Sequence, residues 1–107
     1  VNFTLRNLSL ANGRLAADPN NRATSAGAAI LTGFQSVLNV ENTQFRNNFA
    51  GFGGAVFTGY RSNSTFVNSV FDNNEGTAAR SERGGGAIAG DTEASMTVRD
   101  SRFTNNK

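Results

Sequence analysis

The acidic side chains are the residues of this chain that could do chemistry, because histidine and cysteine are both absent. Their absence excludes Ser-His-Asp and Cys-His nucleophilic sites, and it excludes imidazole and thiolate ligands for a metal ion. Paired carboxylates could still hydrolyse a glycoside, one as the general acid and the other as the base or nucleophile. The eight carboxylates are Asp18, Glu41, Asp72, Glu75, Glu82, Asp91, Glu93 and Asp100.

These carboxylates do not form a pair when the internal repeat described below is used to align them. Asp72, for example, aligns with Arg46 and Thr104 on the outward side of a strand. Asp91 and Glu93 lie close together, but a hard-cation site needs about six or more oxygen ligands, which favours a solvated turn. We therefore predict no catalytic residue, no metal site and no cofactor, and we expect that the protein is not an enzyme.

A recurring distance of 15 residues defines the elements that position these side chains. It separates Ile30 from Phe45, Val56 from Phe71, and Ile88 from Phe103. Each first member ends a run of small residues, and each second member begins a Phe-x-Asn-Asn run. A weaker copy around Leu10 leads the chain. Internal repetition of this kind is typical of solenoids.

Within each copy, inward and outward positions alternate with a period of two. The aligned inward pairs are Phe3 and Leu5, Leu38 and Val40, Ser64 and Phe66, and Met96 and Val98. Such alternation predicts a strand with one buried face. Two further short strands in each copy surround the Phe45 and Ile30 positions. The sequence therefore predicts an all-β fold, a right-handed parallel β-helix solenoid of about four coils with three short strands per coil.

Asparagines recur at fixed positions of the copies and predict structural ladders at the corners of the coils. Asn side chains stacked at the strand spacing of roughly 4.8 Å can hydrogen-bond along the axis, and Asn tolerates the left-handed backbone of a corner. We expect Asn73 to lie in a buried network between its two neighbours. One row contains Asn12, Asn47, Asn73 and Asn105, the next contains Asn48, Asn74 and Asn106, and a third contains Asn7, Asn42 and Asn68 with Asp100.

Length and charge limit the organisation and the partners of the chain. The 107 residues make one domain, so 1–107 is interpreted as a single β-helix segment. Neither end has the pattern of a capping repeat, and we expect a fragment of a longer solenoid or a subunit whose ends are covered by partners. The net charge of +2 is too small and too dispersed for nucleic-acid binding. No apolar run reaches the roughly 18 residues that span a bilayer.

The Gly-Gly-Ala-Val run at Gly53, the Gly-Gly-Ala-Ile run at Gly85 and the three Phe-x-x-Asn runs resemble a known pattern. They are similar to the repeats of chlamydial polymorphic membrane proteins, whose passenger regions carry both motifs many times, and to other bacterial surface β-helix proteins. The resemblance implies a cell-surface or secreted bacterial protein with a structural or adhesin-like role. It implies no catalytic residue.

The corners of the predicted coil carry the side chains available for partner contact. Variable segments 14–26 and 75–84 project from one corner, where arginines could meet acidic groups on a partner, and loops on rigid scaffolds commonly bind partners. Two aromatic residues align after Gly33 and Gly59. The candidate contact residues are Arg14, Arg22, Arg80, Arg83, Phe34 and Tyr60.

These corners favour contact with a protein or a glycan as the function of the chain. Two alternatives are a non-catalytic part of a carbohydrate-processing β-helix enzyme and a structural subunit of a larger assembly that stacks end to end.

Overall fold

The computed structural model describes residues 2–15, 26–77 and 85–107, and over these ranges the chain is all-β with no helix. Strands form where inward and outward residues alternate, and most of them are followed directly by Asn, Asp or Gly. They are Asn2–Arg6 (β1), Ser9–Ala11 (β2), Ile30–Leu31 (β3), Val37–Glu41 (β4), Gln44–Arg46 (β5), Phe49–Ala50 (β6), Val56–Thr58 (β7), Asn63–Val67 (β8), Val70–Asp72 (β9), Glu75–Gly76 (β10), Ile88–Gly90 (β11), Ser95–Arg99 (β12) and Arg102–Thr104 (β13).

The described strands form four sheets, and the pairing within each sheet is parallel. Two sheets have four strands each, in the orders β1-β4-β8-β12 and β2-β5-β9-β13. A third has the order β3-β7-β11, and β6 pairs with β10. Strands that are consecutive in the chain therefore belong to different sheets, and each strand pairs with the equivalent strand of the next copy.

The predicted register is confirmed in the three larger sheets. Leu10 pairs with Phe45, Phe45 with Phe71, and Phe71 with Phe103. Ile30 pairs with Val56, and Val56 with Ile88. Phe3 pairs with Leu38, Leu38 with Ser64, and Ser64 with Met96. The recurring spacing of 15 residues therefore spans three sheets. Over this length the chain leaves the sheet of β3, passes through the sheet of β4 and enters the sheet of β5.

A stack of phenylalanine rings fills the core between the sheets. The Phe71 ring lies parallel to the Phe45 ring and to the Phe103 ring, with centroids 4.6 Å apart in each case. Phe66 contacts Phe71 edge to face at 5.5 Å. Phe45, Phe66 and Phe71 are fully buried, while Phe103, on the edge strand β13, is 45% exposed. The parallel register brings like residues together, so the rings can stack at close to the strand spacing.

The Gly-Gly-Ala run before β7 allows neighbouring segments to approach closely. Gly53 has a φ of 55°, which favours glycine. A Cβ at Gly54 would collide with the carbonyl oxygen of Gly86 in the adjacent run. The following Ala55 N–H donates to the Ala87 carbonyl at 2.9 Å. A larger residue in place of Gly54 would therefore separate the two runs.

The corners between strands are made by residues with left-handed backbone, as the asparagine pattern predicted. These residues are Asn7, Asn12, Asn42, Asn47, Asn68, Asn73, Asp100 and Asn105, with φ between 46° and 64°. A different corner uses Gln35, Arg61 and Glu93, with φ between 53° and 59°. Asn and Asp adopt this conformation more readily than other non-glycine residues, so the second corner departs from the usual preference.

A second, smaller apolar cluster lies on the opposite face of the sheet that contains β7. Phe57 contacts Phe52 edge to face with centroids 6.5 Å apart, and Ala26 completes the cluster. Phe52 is buried in this cluster at 2% exposure. Val56 and Phe57 thus bury opposite faces of one strand. No helix in the described ranges is long and apolar enough to cross a lipid bilayer.

Candidate functional site

The inner asparagine row, which consists of Asn48, Asn74 and Asn106, is a hydrogen-bond network in which Asn48 and Asn74 are buried and Asn106 is half-buried. Asn48 Nδ2 donates to Asn74 Oδ1 at 3.0 Å, and Asn74 Nδ2 donates to Asn106 Oδ1 at 2.9 Å. Asn74 Nδ2 also donates to the Phe45 carbonyl at 3.0 Å. Asn74 Oδ1 further accepts from the Asn48 backbone N–H at 3.1 Å. The Asn74 amide therefore uses both of its N–H groups and both lone pairs of its oxygen.

The outer asparagine row, which consists of Asn12, Asn47, Asn73 and Asn105, is exposed. Asn73 Nδ2 donates to Asn47 Oδ1 at 2.8 Å, but Asn105 Nδ2 donates to Asp72 Oδ1 at 3.4 Å. The prediction that Asn73 belongs to a buried network between Asn47 and Asn105 is therefore wrong. Each outer residue has a left-handed backbone, which points its side chain to solvent and turns the next residue inward.

Substitutions at Asn73 should reflect its backbone conformation more than its side-chain hydrogen bond. Asn73→Ala is expected to lower the free energy of unfolding by about 1 kcal/mol, because the left-handed conformation is costly for a residue with a Cβ. Asn73→Gly should be close to neutral, since glycine adopts this conformation readily. Urea denaturation of both variants measures the effect. A large loss in both would mean that the exposed amide bond itself stabilises the corner.

A row of buried or half-buried hydroxyls follows the third asparagine corner and was not predicted. The Thr43 N–H donates to Ser69 Oγ at 3.3 Å, and the Ser69 N–H donates to Ser101 Oγ at 3.1 Å. Each hydroxyl in turn donates to the carbonyl two residues earlier. The sequence signal that could have predicted this row is the Ser or Thr that recurs at one position of three successive copies. This row and the inner asparagine row have a structural role.

Asp72 is a surface carboxylate whose pKa is shifted by its neighbours. The Thr104 hydroxyl, which donates to Asp72 Oδ1 at 2.8 Å, lowers the pKa of this carboxyl. Desolvation opposes that effect, and the Asn105 amide and the Arg46 guanidinium add to it. Arg46 lies 3.9 Å from Asp72 Oδ2. Arg46, Asp72 and Thr104 lie on neighbouring strands of one sheet, so the Asp72 carboxylate belongs to a set of contacts across the surface of that sheet.

The lowered pKa of Asp72 predicts a pH dependence of stability. The folded carboxyl has the lower pKa, so its contribution is present above the unfolded value of about 3.9 and is lost as pH falls through the folded pKa. Asp72→Asn should destabilise the protein at pH 7 more than at pH 2. Urea midpoints of both proteins at the two pH values check this. An equal difference at both pH values would contradict it.

The structure brings the two predicted aromatic contact residues together at one corner. The Phe34 and Tyr60 rings are stacked with centroids 5.3 Å apart and planes 25° apart. Phe34 is 63% exposed. The Arg61 guanidinium lies over Tyr60 at 5.1 Å from the ring centroid, and its Nε is 2.5 Å from Glu93 Oε2. We call Phe34 and Tyr60 the aromatic corner.

A groove of about 460 Å³ runs beside the aromatic corner along the outer face of the third sheet. Its apolar floor contains Leu31 and Phe57, which pair in register. Sequence reasoning missed the floor residues and Asp91, although Asp91 aligns with the glycines that precede both aromatic residues. We call this the corner groove; it is lined by Leu31, Thr32, Gly33, Phe34, Phe57, Gly59, Tyr60 and Asp91.

Arg14, one of the four arginines predicted to contact a partner, is not among the residues that line the corner groove. Arg14 is exposed, and its guanidinium lies 4.3 Å from the centroid of the Phe49 ring. Arg22, Arg80 and Arg83 lie outside the described residues, so the structure describes one of the four arginines.

The described acidic side chains form surface ion pairs in three places. Arg6 Nε lies 2.9 Å from Glu41 Oε2, and the other two pairs involve Asp72 and Glu93. In the described part of the chain, no three His, Cys, Asp or Glu side chains are grouped so that they could hold a metal ion.

Comparison of the chain with protein-family models, with curated proteins and with solved structures finds no match.

Proposed function

We propose that the protein is a right-handed parallel β-helix with a structural or adhesin-like role at the surface of a bacterial cell or in a secreted protein. The single observation that carries this proposal is the in-register parallel pairing of equivalent residues in three sheets. Consecutive strands belong to different sheets, which is the connectivity of a chain that winds around one axis. The resemblance of the Gly-Gly-Ala and Phe-x-x-Asn runs to bacterial surface repeats supports the location.

A non-catalytic role is supported by the way in which the described residues use their polar groups. The buried side chains of Asn48 and Asn74 bond to each other, and those of Asn74 and Thr43 also donate to backbone carbonyls. These hydrogen bonds hold the corners in place. The carboxylates at Glu41, Asp72 and Glu93 are paired with arginines on the surface. Rigid corners that present exposed side chains are suited to contact with a protein or a glycan.

Duplication of one unit tests the proposed architecture. Insertion of a second copy of residues 47–72 after Asp72 adds 26 residues, which is the distance between equivalent asparagines. In a β-helix the insert adds one coil, so the urea midpoint should rise, because each new interface adds nearest-neighbour stabilisation. A shuffled insert of the same composition is the control. An intact insert that lowers stability as much as the shuffled one would contradict the β-helix.

Adhesion measurements test the proposed role. Beads that carry the 107-residue chain should be retained on cell monolayers under flow more strongly than beads that carry the Phe71→Ala variant, which has a damaged core. Incubation of the chain with polysaccharides should release no reducing ends. Retention equal to that of uncoated beads would overturn the adhesin-like role, and release of reducing ends would favour the enzyme alternative.

A further inference from the structure

We infer that Asn12 is the site of a slow spontaneous deamidation, and that the Asn48 amide controls the rate of this reaction. The inference is independent of the proposed function, because it concerns a covalent change of the chain itself. The reaction takes place at the corner that follows β2, where Asn12 and Gly13 lead into the segment 13–15 beside β6.

Deamidation converts an asparagine through a cyclic imide that it forms with the next residue. The backbone nitrogen of Gly13 gives its proton to water or hydroxide and attacks Cγ of Asn12. The side-chain nitrogen of Asn12 takes up a proton and leaves as ammonia, which closes the imide ring. Water then opens this ring at either carbonyl carbon. The product is aspartate or isoaspartate, and the net change is one water consumed and one ammonia released.

The sequence makes Asn12 the most reactive asparagine of its row. Asn12–Gly13 is the sole Asn-Gly pair in the 107 residues. A side chain on the second residue obstructs the attack of the backbone nitrogen, and glycine has none. The Asn12 side chain is also exposed, so water reaches it. In the three equivalent pairs the second residue carries a side chain. These pairs are Asn47–Asn48, Asn73–Asn74 and Asn105–Asn106.

The fold requires glycine at position 13, so the reactive pair is part of the corner itself. A Cβ at Gly13 would collide with the carbonyl oxygen of Ala28. The Gly13 carbonyl also accepts from the Phe49 N–H of β6 at 2.8 Å. A larger residue would therefore separate the corner from the neighbouring turn. The close packing that needs glycine at this position is what leaves Asn12 open to attack.

The Asn48 side chain restrains the nitrogen that must attack. The Gly13 N–H donates to Asn48 Oδ1 at 3.0 Å. This bond favours the protonated form of the nitrogen, which is the unreactive form. Asn48 is buried, and its Nδ2 donates to the Leu10 carbonyl at 3.1 Å and to Asn74 Oδ1 at 3.0 Å, so its oxygen is fixed in place. The folded chain should therefore react at Asn12 more slowly than the unfolded chain.

Isoaspartate at position 12 would release the segment 13–15 from β6. It places an additional methylene in the backbone of a corner whose φ is 64°. Gly13 and Leu15 would move relative to Phe49, which now donates to the Gly13 carbonyl and accepts from the Leu15 N–H at 2.9 Å. Hydrogen exchange at the Phe49 N–H should therefore be faster in the isoaspartate product than in the aspartate product, whose backbone length is unchanged.

Peptide mapping by mass spectrometry tests the site. The full chain is incubated at pH 8 for several weeks, folded and in urea, and isoaspartate is located by labelling with isoaspartyl methyltransferase. We expect product at Asn12 before any appears at Asn47, Asn73 or Asn105, and a faster reaction in urea. No product at Asn12, earlier product at one of the other three, or equal rates with and without urea would overturn the inference.

Variants test the role assigned to the Asn48 amide. Asn48→Ala should raise the rate at Asn12 by about tenfold, which corresponds to about 1.4 kcal/mol and is close to the contribution of one hydrogen bond. Asn74→Ala is the matched control, because it removes the next amide of the same row and leaves the bond between Gly13 and Asn48 in place. Its rate at Asn12 should equal that of the parent. Equal acceleration in both variants would assign the effect to unfolding and overturn the inference.

Discussion

Replacement of Phe71 by alanine is expected to lower the free energy of unfolding by about 3–5 kcal/mol, the usual cost of removing a buried aromatic ring. Phe71 is fully buried and stacks on Phe45 and on Phe103 with centroids 4.6 Å apart. Its loss would also remove the edge contact with Phe66. Neighbours on adjacent strands are fixed by the sheet register, so they cannot close the cavity easily. Urea denaturation with linear extrapolation measures the loss.

Two controls separate the buried ring from its surroundings. Phe103→Ala removes a ring of the same stack that is 45% exposed, so its cost should be well below that of Phe71→Ala. Asp72→Ala changes the next residue, which faces outward and interacts with Arg46 at the surface and should also cost less. Equal losses at Phe71 and Phe103 would contradict the cavity argument. Equal losses at Phe71 and Asp72 would contradict the assignment of inward and outward faces.

The register of the sheets was predictable because it depends on a distance along the chain. The spacing from Val56 to Phe71 recurs in the neighbouring copies, and parallel strands of equal separation must pair equivalent residues. The handedness and the closure of the proposed β-helix do not follow from that distance. They depend on the path of the corners, where single residues such as Asn73 change the direction of the chain.

The two asparagine rows show where the sequence pattern was insufficient. Strict alternation from the inward Phe71 would also place Asn73 inward. The left-handed backbone of Asn73 interrupts that alternation, so that Asn74 is buried instead. Since both rows contain the same residue type, composition could not distinguish them. The inward and outward rows are assigned correctly only if the first asparagine of each pair has a left-handed backbone, which turns the second asparagine inward.

The aromatic part of the corner groove was predictable from the sequence, and its floor was not. Phe34 and Tyr60 were identified because they are equivalent aromatic residues at a corner, and equivalent residues stack. The floor residue Phe57 lies between Val56 and Thr58, which are also buried. Because β7 does not alternate between buried and exposed positions, its sequence did not indicate that Phe57 faces outward. The Phe57 face of β7 is buried by Phe52, from the turn just before β7, and by Ala26, which comes from the preceding copy of the repeat. Contacts between separate segments have no signal in a local pattern.

Asn74→Ala is the second substitution with a large expected effect, about 2–6 kcal/mol of unfolding free energy, because two buried groups each lose a partner. The substitution leaves the Asn48 backbone N–H without its acceptor and removes the donor that bonds to the Phe45 carbonyl. Each buried polar group that loses its partner costs about 1–3 kcal/mol. Asn73→Ala is the matched control, since it removes the same side chain from the exposed row and should cost about 1 kcal/mol.

Asn74→Asp distinguishes the lost hydrogen bonds from lost packing, because aspartate and asparagine have nearly the same shape. At pH 7 the carboxylate cannot donate to Phe45 or Asn106, and burial disfavours its charge, so the variant should be as unstable as Asn74→Ala or more so. Burial raises the pKa of such a carboxyl, and the protonated form regains one donor. The urea midpoint of Asn74→Asp should therefore rise relative to that of Asn74→Ala as the pH is lowered from 7 to 4. An aspartate variant that is as stable as the parent at pH 7 would show that the inner row does not depend on its donors.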